Sequence, residues 1–441
     1  MLHTIFLLIS LTTFLLVQSA PDMAYPEKHQ ISDLQSLIDS AEPYSTIPAP
    51  PGIYAGPIRI WKPLALKGAG DVVVDGKGSG DVVVIKADDV IFEGFRIINS
   101  FPDVAFEPAG IKIVNSRNVT ITGNRIENVI HAIYVVNSTD VKVTKNHLTS
   151  FPERSVNDRG HGVYLWYSVG VGVSENRIEN VKDGVYSDHS YNVTVMANEI
   201  FGSRYGIHLM YSARHVIDRN VIRGNLVGMA LMYSFRLMVT NNTVRENRGL
   251  AVSEGIFIRE SSDVYLERNL VVGNAVGLHV VNSPYPREGG LRFRMNVIAF
   301  NNVGVRFDGW ASAVFERNDL VENAQQISLL TPSATSLWMR NFWSDRGLQI
   351  GEKYLAKSTV EDLLDRWPVL WAFAYGPGFS AIKTSRSLSG LGSSVKAIDE
   401  FPAKSPNALR PTVNAGSSVW LAAALALTLP PVAAAIAASR R

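Results

Sequence analysis

Asparagine recurs in this chain at a fixed step. Asn124, Asn146, Asn176, Asn198, Asn220, Asn242, Asn269, Asn296, Asn318 and Asn341 form one series, and most of its steps are 22 residues. Small residues keep the same step at Gly110, Ala132, Gly162, Gly184, Gly206, Gly228, Gly255, Gly277 and Gly304. Serine follows six residues after these, at Ser116, Ser138, Ser168, Ser190, Ser212, Ser234, Ser261 and Ser283. Three series in phase specify a solenoid, because a repeat of this length cannot bury a core alone and gains stability only by stacking.

The repeat unit is built of strands. After each small residue the side chains alternate: Ile111 and Ile113, Val163 and Leu165, Ile207 and Leu209, Ile256 and Ile258 lie on one side. That is a period of two. With about three short strands per coil and turn residues between them, the expected fold is all-β, a right-handed parallel β-helix over residues 31–345. Coils stack about 4.8 Å apart, so equivalent asparagines form a ladder of side-chain amides along one corner. The small residue opening each first strand allows either a positive φ or a close backbone approach. About a dozen coils are expected between Tyr54 and Trp343, the early ones running through Ile58–Leu66, Val72–Asp75, Val82–Lys86 and Val90–Ile98.

An open stack end needs covering. Ser32-Asp33-Leu34-Gln35 fits a capping box, and Leu34, Leu37, Ile38 and Ala41 are helically spaced, so Ser32–Ala41 is expected to be a short helical cap. Departures from the regular step mark insertions at Pro152–Arg159, within Arg245–Glu254, and around Pro284–Gly290. The first two bulge from one corner, which fits either a binding face or simple tolerance of loops.

Two apolar runs frame the solenoid. Ile5–Val17 has the length of a signal-peptide core and Ser19-Ala20 offers small residues for cleavage, so residues 1–20 are expected to direct export. Val419–Ala438 is a 20-residue run followed by Arg440 and Arg441, the pattern of a C-terminal transmembrane anchor over 417–439. Residues 346–416 are then an extension and linker. With 42 basic and 40 acidic residues the chain has no polyanion-binding field, so nucleic acid is not an expected partner. It has no cysteine, which excludes disulfides and leaves Met, His, Asp and Glu as metal donors.

The outward positions of the first strands are unusual. Two residues after the small residue stand Lys112, Tyr134, Tyr164, Tyr186, His208, Ala230, Phe257 and His279; four residues after it stand Val114, Val136, Trp166, Asp188, Met210, Met232, Arg259 and Val281. Tyr167, His189, Tyr211 and Tyr233 run beside them. An aromatic face of this kind is expected to be covered by a partner or by the C-terminal segment. Met210 and Met232 fall on consecutive coils with His208 nearby, a donor set that suits Cu(I), while Met229 points inward. Met also fills gaps at interfaces, so spacing leaves packing open as the alternative. Asp183, Asp188 and His189 share a coil with Tyr186, the residue types of a polysaccharide lyase or epimerase; no neighbouring coil offers Asp188 a second carboxylate. A glycan-binding surface protein is a further alternative.

At these coils the sequence resembles the NosD family, periplasmic β-helix proteins of nitrous oxide reductase maturation. The resemblance rests on Arg159–Trp166 (RGHGVYLW), Asp183–Tyr186, Arg204–Ser212 (RYGIHLMYS), Ala230–Ser234 (ALMYS) and the closing Asn341-Phe342-Trp343-Ser344-Asp345. It implies a non-enzymatic accessory of copper-sulfide centre assembly, working with an ABC-type ATPase and permease, a copper chaperone and the reductase. It also implies a transient Cu(I) site at His208, Met210 and Met232. The expected partner-binding residues are Tyr164, Trp166, Tyr186, Tyr211, Tyr233 and Trp343. The C-terminal anchor departs from the family pattern, in which the permease provides attachment.

Overall fold

The computed structural model describes residues 33–249, 253–285, 289–330, 334–348, 352–357 and 395–408. The expected export signal at 1–20, the anchor at 417–439 and most of the 346–416 extension lie outside the described residues. Among those described, no helix is long and apolar enough to cross a membrane.

One coil shows how the sequence makes the solenoid. Its three strands are Asp183–Asp188, Thr194–Met196 and Glu199–Phe201, and the next coil begins at Tyr205–Met210. Every strand pairs in parallel with its equivalent one coil away: Val185 with Ile207, Val195 with Ile217 and Ile200 with Ile222. The third strands form a sheet of 13 among the described residues, from Gly52–Ala55 to Phe342–Trp343. Inward columns of Val, Ile and Leu fuse into one continuous core. The fold is therefore the right-handed parallel β-helix that the repeat implies.

The corners are held by polar ladders. In the expected one, the side-chain oxygen of Asn198 accepts from both the backbone N and Nδ2 of Asn176 at 3.0 Å, and Asn198 donates in turn to Asn220. The serines form another, Ser168 N donating to Ser190 Oγ and Ser190 N to Ser212 Oγ. A third, unforeseen ladder runs along the remaining corner through Ser203, Asn225, Asn247, Asn274, Asn301 and Asn323. The glycine column is explained by close approach, not by a left-handed backbone. A Cβ on Gly184 would stand 2.4 Å from Gly206 O and 2.4 Å from Ile200 Cγ2.

Both ends are closed. The N-terminal helix spans Leu34–Ser40 and its cap is Asp33, one residue later than the expected Ser32, with the Asp33 carboxylate accepting from Gln35 N. Gln35 does not close a capping box. Its side chain accepts from Arg59 N and donates to Arg59 O, fastening the helix to the first strands. At the other end Tyr354–Lys357 and Val395–Asp399 pair antiparallel over the last coil. The buried Asp399 carboxylate terminates the asparagine ladder, accepting from Asn341 N, Asn341 Nδ2, Trp343 Nε1 and Arg340 N. Asp399→Ala is expected to cost about 2–3 kcal/mol of local stability, since several buried donors lose their shared acceptor. In hydrogen exchange the amides of residues 340–343 should lose roughly 100-fold protection while those near Asn198 keep theirs.

Candidate functional site

The glycine that opens each first strand also shapes its outer face. Pairing jumps from Asp183 with Tyr205 to Val185 with Ile207, and the glycines between carry no bridge. Gly184 faces the core, so the residue before it turns outward beside the residue two positions after it. Two columns thus meet, one holding His131, His161, Asp183 and Tyr205, the other Tyr134, Tyr164, Tyr186 and His208.

Their side chains assemble a buried polar cluster. Asp183 is fully buried and accepts from Arg204 Nε at 2.9 Å and Nη2 at 2.7 Å, and it lies 3.0 Å from His208 Nδ1. His161 Nδ1 stands 3.5 Å from the same carboxylate. The backbone N of His161 donates to His131 Nδ1, and the two imidazoles stack at 5.1 Å. The tyrosine column stacks at 4.4 Å from Tyr134 to Tyr164 and 5.0 Å to Tyr186, then 4.7 Å to His208.

Burial alone would raise the Asp183 carboxyl, but the His208 hydrogen bond and the charges around it hold it far below the usual carboxylate range. Desolvation pushes His161 down to about 4 and His131 well below its ordinary value. It pushes Tyr164 up to about 12. At neutral pH the cluster is therefore an aspartate paired with Arg204 amid neutral histidines at 131 and 161 and protonated tyrosines.

Two residues farther along the strands lies a softer, more accessible row. Asp188, Met210, Met232 and Arg259 are in direct register on successive coils. Both methionines are half-buried. At the adjoining corner the rings of Tyr167, His189, Tyr211 and Tyr233 follow one another at 4.8, 5.0 and 5.1 Å, the middle pair tilted by 34°. His189 Nδ1 lies 2.6 Å from Asp188 Oδ1.

The expected residues are distributed unequally. Met210 and Met232 come together as the spacing implies, and Met229 is inward. His208 shares their sheet face but is only 8% exposed, with Nδ1 committed to Asp183 and Nε2 buried without a hydrogen-bond partner. Of the expected docking residues, Trp166 and Tyr211 are 39% and 46% exposed, and Tyr186 and Tyr233 are half-buried. Two expectations need correction. Trp343 is 2% exposed and donates to Asp399, so it seals the last coil and does not face a partner. Tyr164 is 8% exposed because Tyr134 and Tyr186 sandwich its ring.

Asp183 and Asp188, which share a coil, have separate partners: Arg204 and His208 for the first, His189 for the second. Spacing does not single out His161 and Arg204, although His161 precedes Gly162 as Asp183 precedes Gly184. Exposed Tyr191, Phe235 and Met238 extend the apolar surface past Tyr211 onto the second strands. Among the described residues no three His, Asp or Glu side chains converge as a metal cage.

Comparison with known proteins gives this geometry a context. The sequence profile of the family described as periplasmic copper-binding protein (NosD) matches residues 149–359, and that of the right-handed β-helix region matches 71–168. The "Probable ABC transporter binding protein NosD" of Stutzerimonas stutzeri is 27% identical over 135 residues, 30% of this chain and 31% of that relative. The match thus spans about a third of the relative's length. Two mutant crystal structures of the periplasmic alginate epimerase AlgG superpose with TM-scores of 0.51, at 17% and 16% identity, covering 70% of this chain and 82% of theirs. At that identity the likeness concerns the fold alone. The profile match takes in His161, Asp183, Arg204 and His208 of the cluster and the Met210–Met232 row. The chain is a NosD-like right-handed β-helix protein.

Proposed function

We propose that this protein is an extracytoplasmic, non-catalytic accessory of copper-sulfide centre assembly that takes up and passes on Cu(I) through Met210 and Met232. The observation that carries this reading is the pair of half-buried methionines in direct register on adjacent coils. Parallel neighbours lie about 4.8 Å apart, close enough for two flexible thioethers to meet one ion. Thioethers are soft donors that select Cu(I) in a chain with no thiolate. A site of two or three ligands open to solvent binds an ion it must also release. The partners in this reading are an ABC-type ATPase and permease, a copper chaperone that delivers the ion, and nitrous oxide reductase. Trp166, Tyr211 and Tyr233 form a docking rim beside the row. A membrane anchor at 417–439 would hold the solenoid near the permease. His208, the imidazole expected in this site, would need its buried Nε2 uncovered before it could ligate.

The test is Cu(I) titration of the protein against a competing chelator. Met210→Ala/Met232→Ala is expected to weaken binding on the order of 100-fold, about tenfold for each thioether lost. Equal affinities would return the methionines to packing. A second reading, a polysaccharide epimerase or lyase, is favoured by one observation: Asp183 orients the His208 imidazole while Tyr186 stacks on it. Turnover of uronate polymers that disappears in His208→Ala would establish that enzyme; unchanged polymer favours the accessory role.

A further inference from the structure

We infer that His189 supplies the imidazole of this copper site, on the edge where Asp188 and Met210 meet. The inference rests on the copper reading above and names a ligand that reading lacks.

Three features single out His189. Access comes first: its side chain is 37% exposed, whereas Nε2 of His208 is buried. The second is orientation. Nδ1 lies 2.6 Å from Asp188 Oδ1, so the proton sits on Nδ1 and the Nε2 lone pair is left for an incoming ion. A carboxylate holding the far nitrogen of an imidazole is how metal-binding histidines are fixed in tautomer and made more basic. Tyr167 stacks on one face of the ring at 4.8 Å and Tyr211 packs tilted against the other at 5.0 Å, which restricts its rotation. The third is charge. Asp188 is in register with Met210, and Arg259 is in register with Met232. A cation on this row is therefore drawn to the Asp188 end, where His189 stands, while at the far end Arg259 is paired with Glu260 at 3.5 Å. The carboxylate itself is a hard donor and serves Cu(I) by orienting His189, not by ligating.

Entry and release then have a route along the row: the ion is held by Met210 and Met232, with His189 completing the site at the Asp188 end. The same corner presents Tyr211 and Tyr233 to a docking protein, so an approaching acceptor meets the ion from the exposed side.

The experiment is Cu(I) titration with X-ray absorption on full-length protein, comparing wild type, His189→Asn, His208→Ala and Met210→Ala/Met232→Ala. Asparagine tolerates the positive φ of 47° at this corner, so His189→Asn should keep the coil intact, checked by circular dichroism. The expected result is roughly tenfold weaker binding in His189→Asn, loss of the nitrogen scatterer with both sulfurs retained, and no change in His208→Ala. A weakened methionine double variant beside an unchanged His189→Asn would overturn the inference while leaving the copper reading standing. Unchanged affinity in every variant would overturn both. Loss of the nitrogen signal in His208→Ala alone would return the role to His208.

Discussion

Asn198→Ala is expected to lower the unfolding free energy by about 3–5 kcal/mol, because it orphans buried groups on the coil below. Asn198 Oδ1 is the acceptor for both the backbone N and Nδ2 of Asn176, and its Nδ2 donates to Val173 O at 2.9 Å and Asn220 Oδ1 at 3.0 Å. A buried donor left without an acceptor costs about 1–3 kcal/mol, and here two donors lose theirs at once. Alanine also removes the donor that Val173 O uses. Asn198→Asp keeps the acceptors but turns a carboxylate toward three oxygens, those of Val173, Met196 and Asn220, so it should be at least as damaging at neutral pH. The control is Asn192→Gly, at an exposed corner whose φ of 55° glycine adopts freely, expected to stay within about 0.5–1 kcal/mol of wild type. Urea unfolding monitored by circular dichroism checks both. An Asn198→Ala protein as stable as the control would mean that the ladder contributes little beyond backbone pairing.

The same ladder explains how much of the fold the sequence discloses. Asn and Gly are each dictated by a constraint that repeats with every coil, so their positions print the period directly. The third ladder escapes detection because its members change identity: Ser203 gives way to Asn225, and the coil before Ser203 carries Val181 in the corresponding place. The C-terminal closure carries no period at all, since Asp399 meets Asn341 across 58 residues. The site divides in the same way. Strand alternation places Met210 beside Met232, but it also suggests that the residue before each glycine points inward. The bridge skipped at Gly184 and Gly206 reverses that, and it brings Asp183 out to His208 across 25 residues. A pairing irregularity of this kind has no side-chain signature in one coil; it shows only when His161, Asp183 and Tyr205 are compared as a column. Exposure is also not legible from pattern: Tyr164 and Tyr211 look alike in sequence and both lie between two rings, yet Tyr164 is 8% exposed and Tyr211, at the corner, 46%.

Acidification should destabilise the solenoid steeply between about pH 6.5 and pH 4, and the buried histidines set that window. Burial holds His161 and His215 near 4, and His131 is displaced in the same direction. In the unfolded chain each would titrate near 6.5. Below that value the unfolded state binds protons that the folded state refuses, so stability falls as pH falls and levels off once the folded values are passed. A displacement from 6.5 to about 4 amounts to roughly 3 kcal/mol per residue at the acid limit. Asp183 does not share this window. Its folded carboxyl is depressed, so its contribution is present above the unfolded value near 3.9 and is lost only as pH drops through the lower folded value.

His215 offers the cleaner test because it stands apart from the Asp183 cluster. Its Nδ1 donates to Ala213 O at 2.9 Å and its Nε2 lies 2.9 Å from Ser187 Oγ, an arrangement complete in the neutral ring. His215→Gln preserves a donor and an acceptor without a titrating group. It should therefore be less stable than wild type at pH 7 yet lose roughly 3 kcal/mol less between pH 7 and pH 4. Urea unfolding at half-unit pH intervals reads both slopes, and parallel curves for the two proteins would remove His215 from the acid transition.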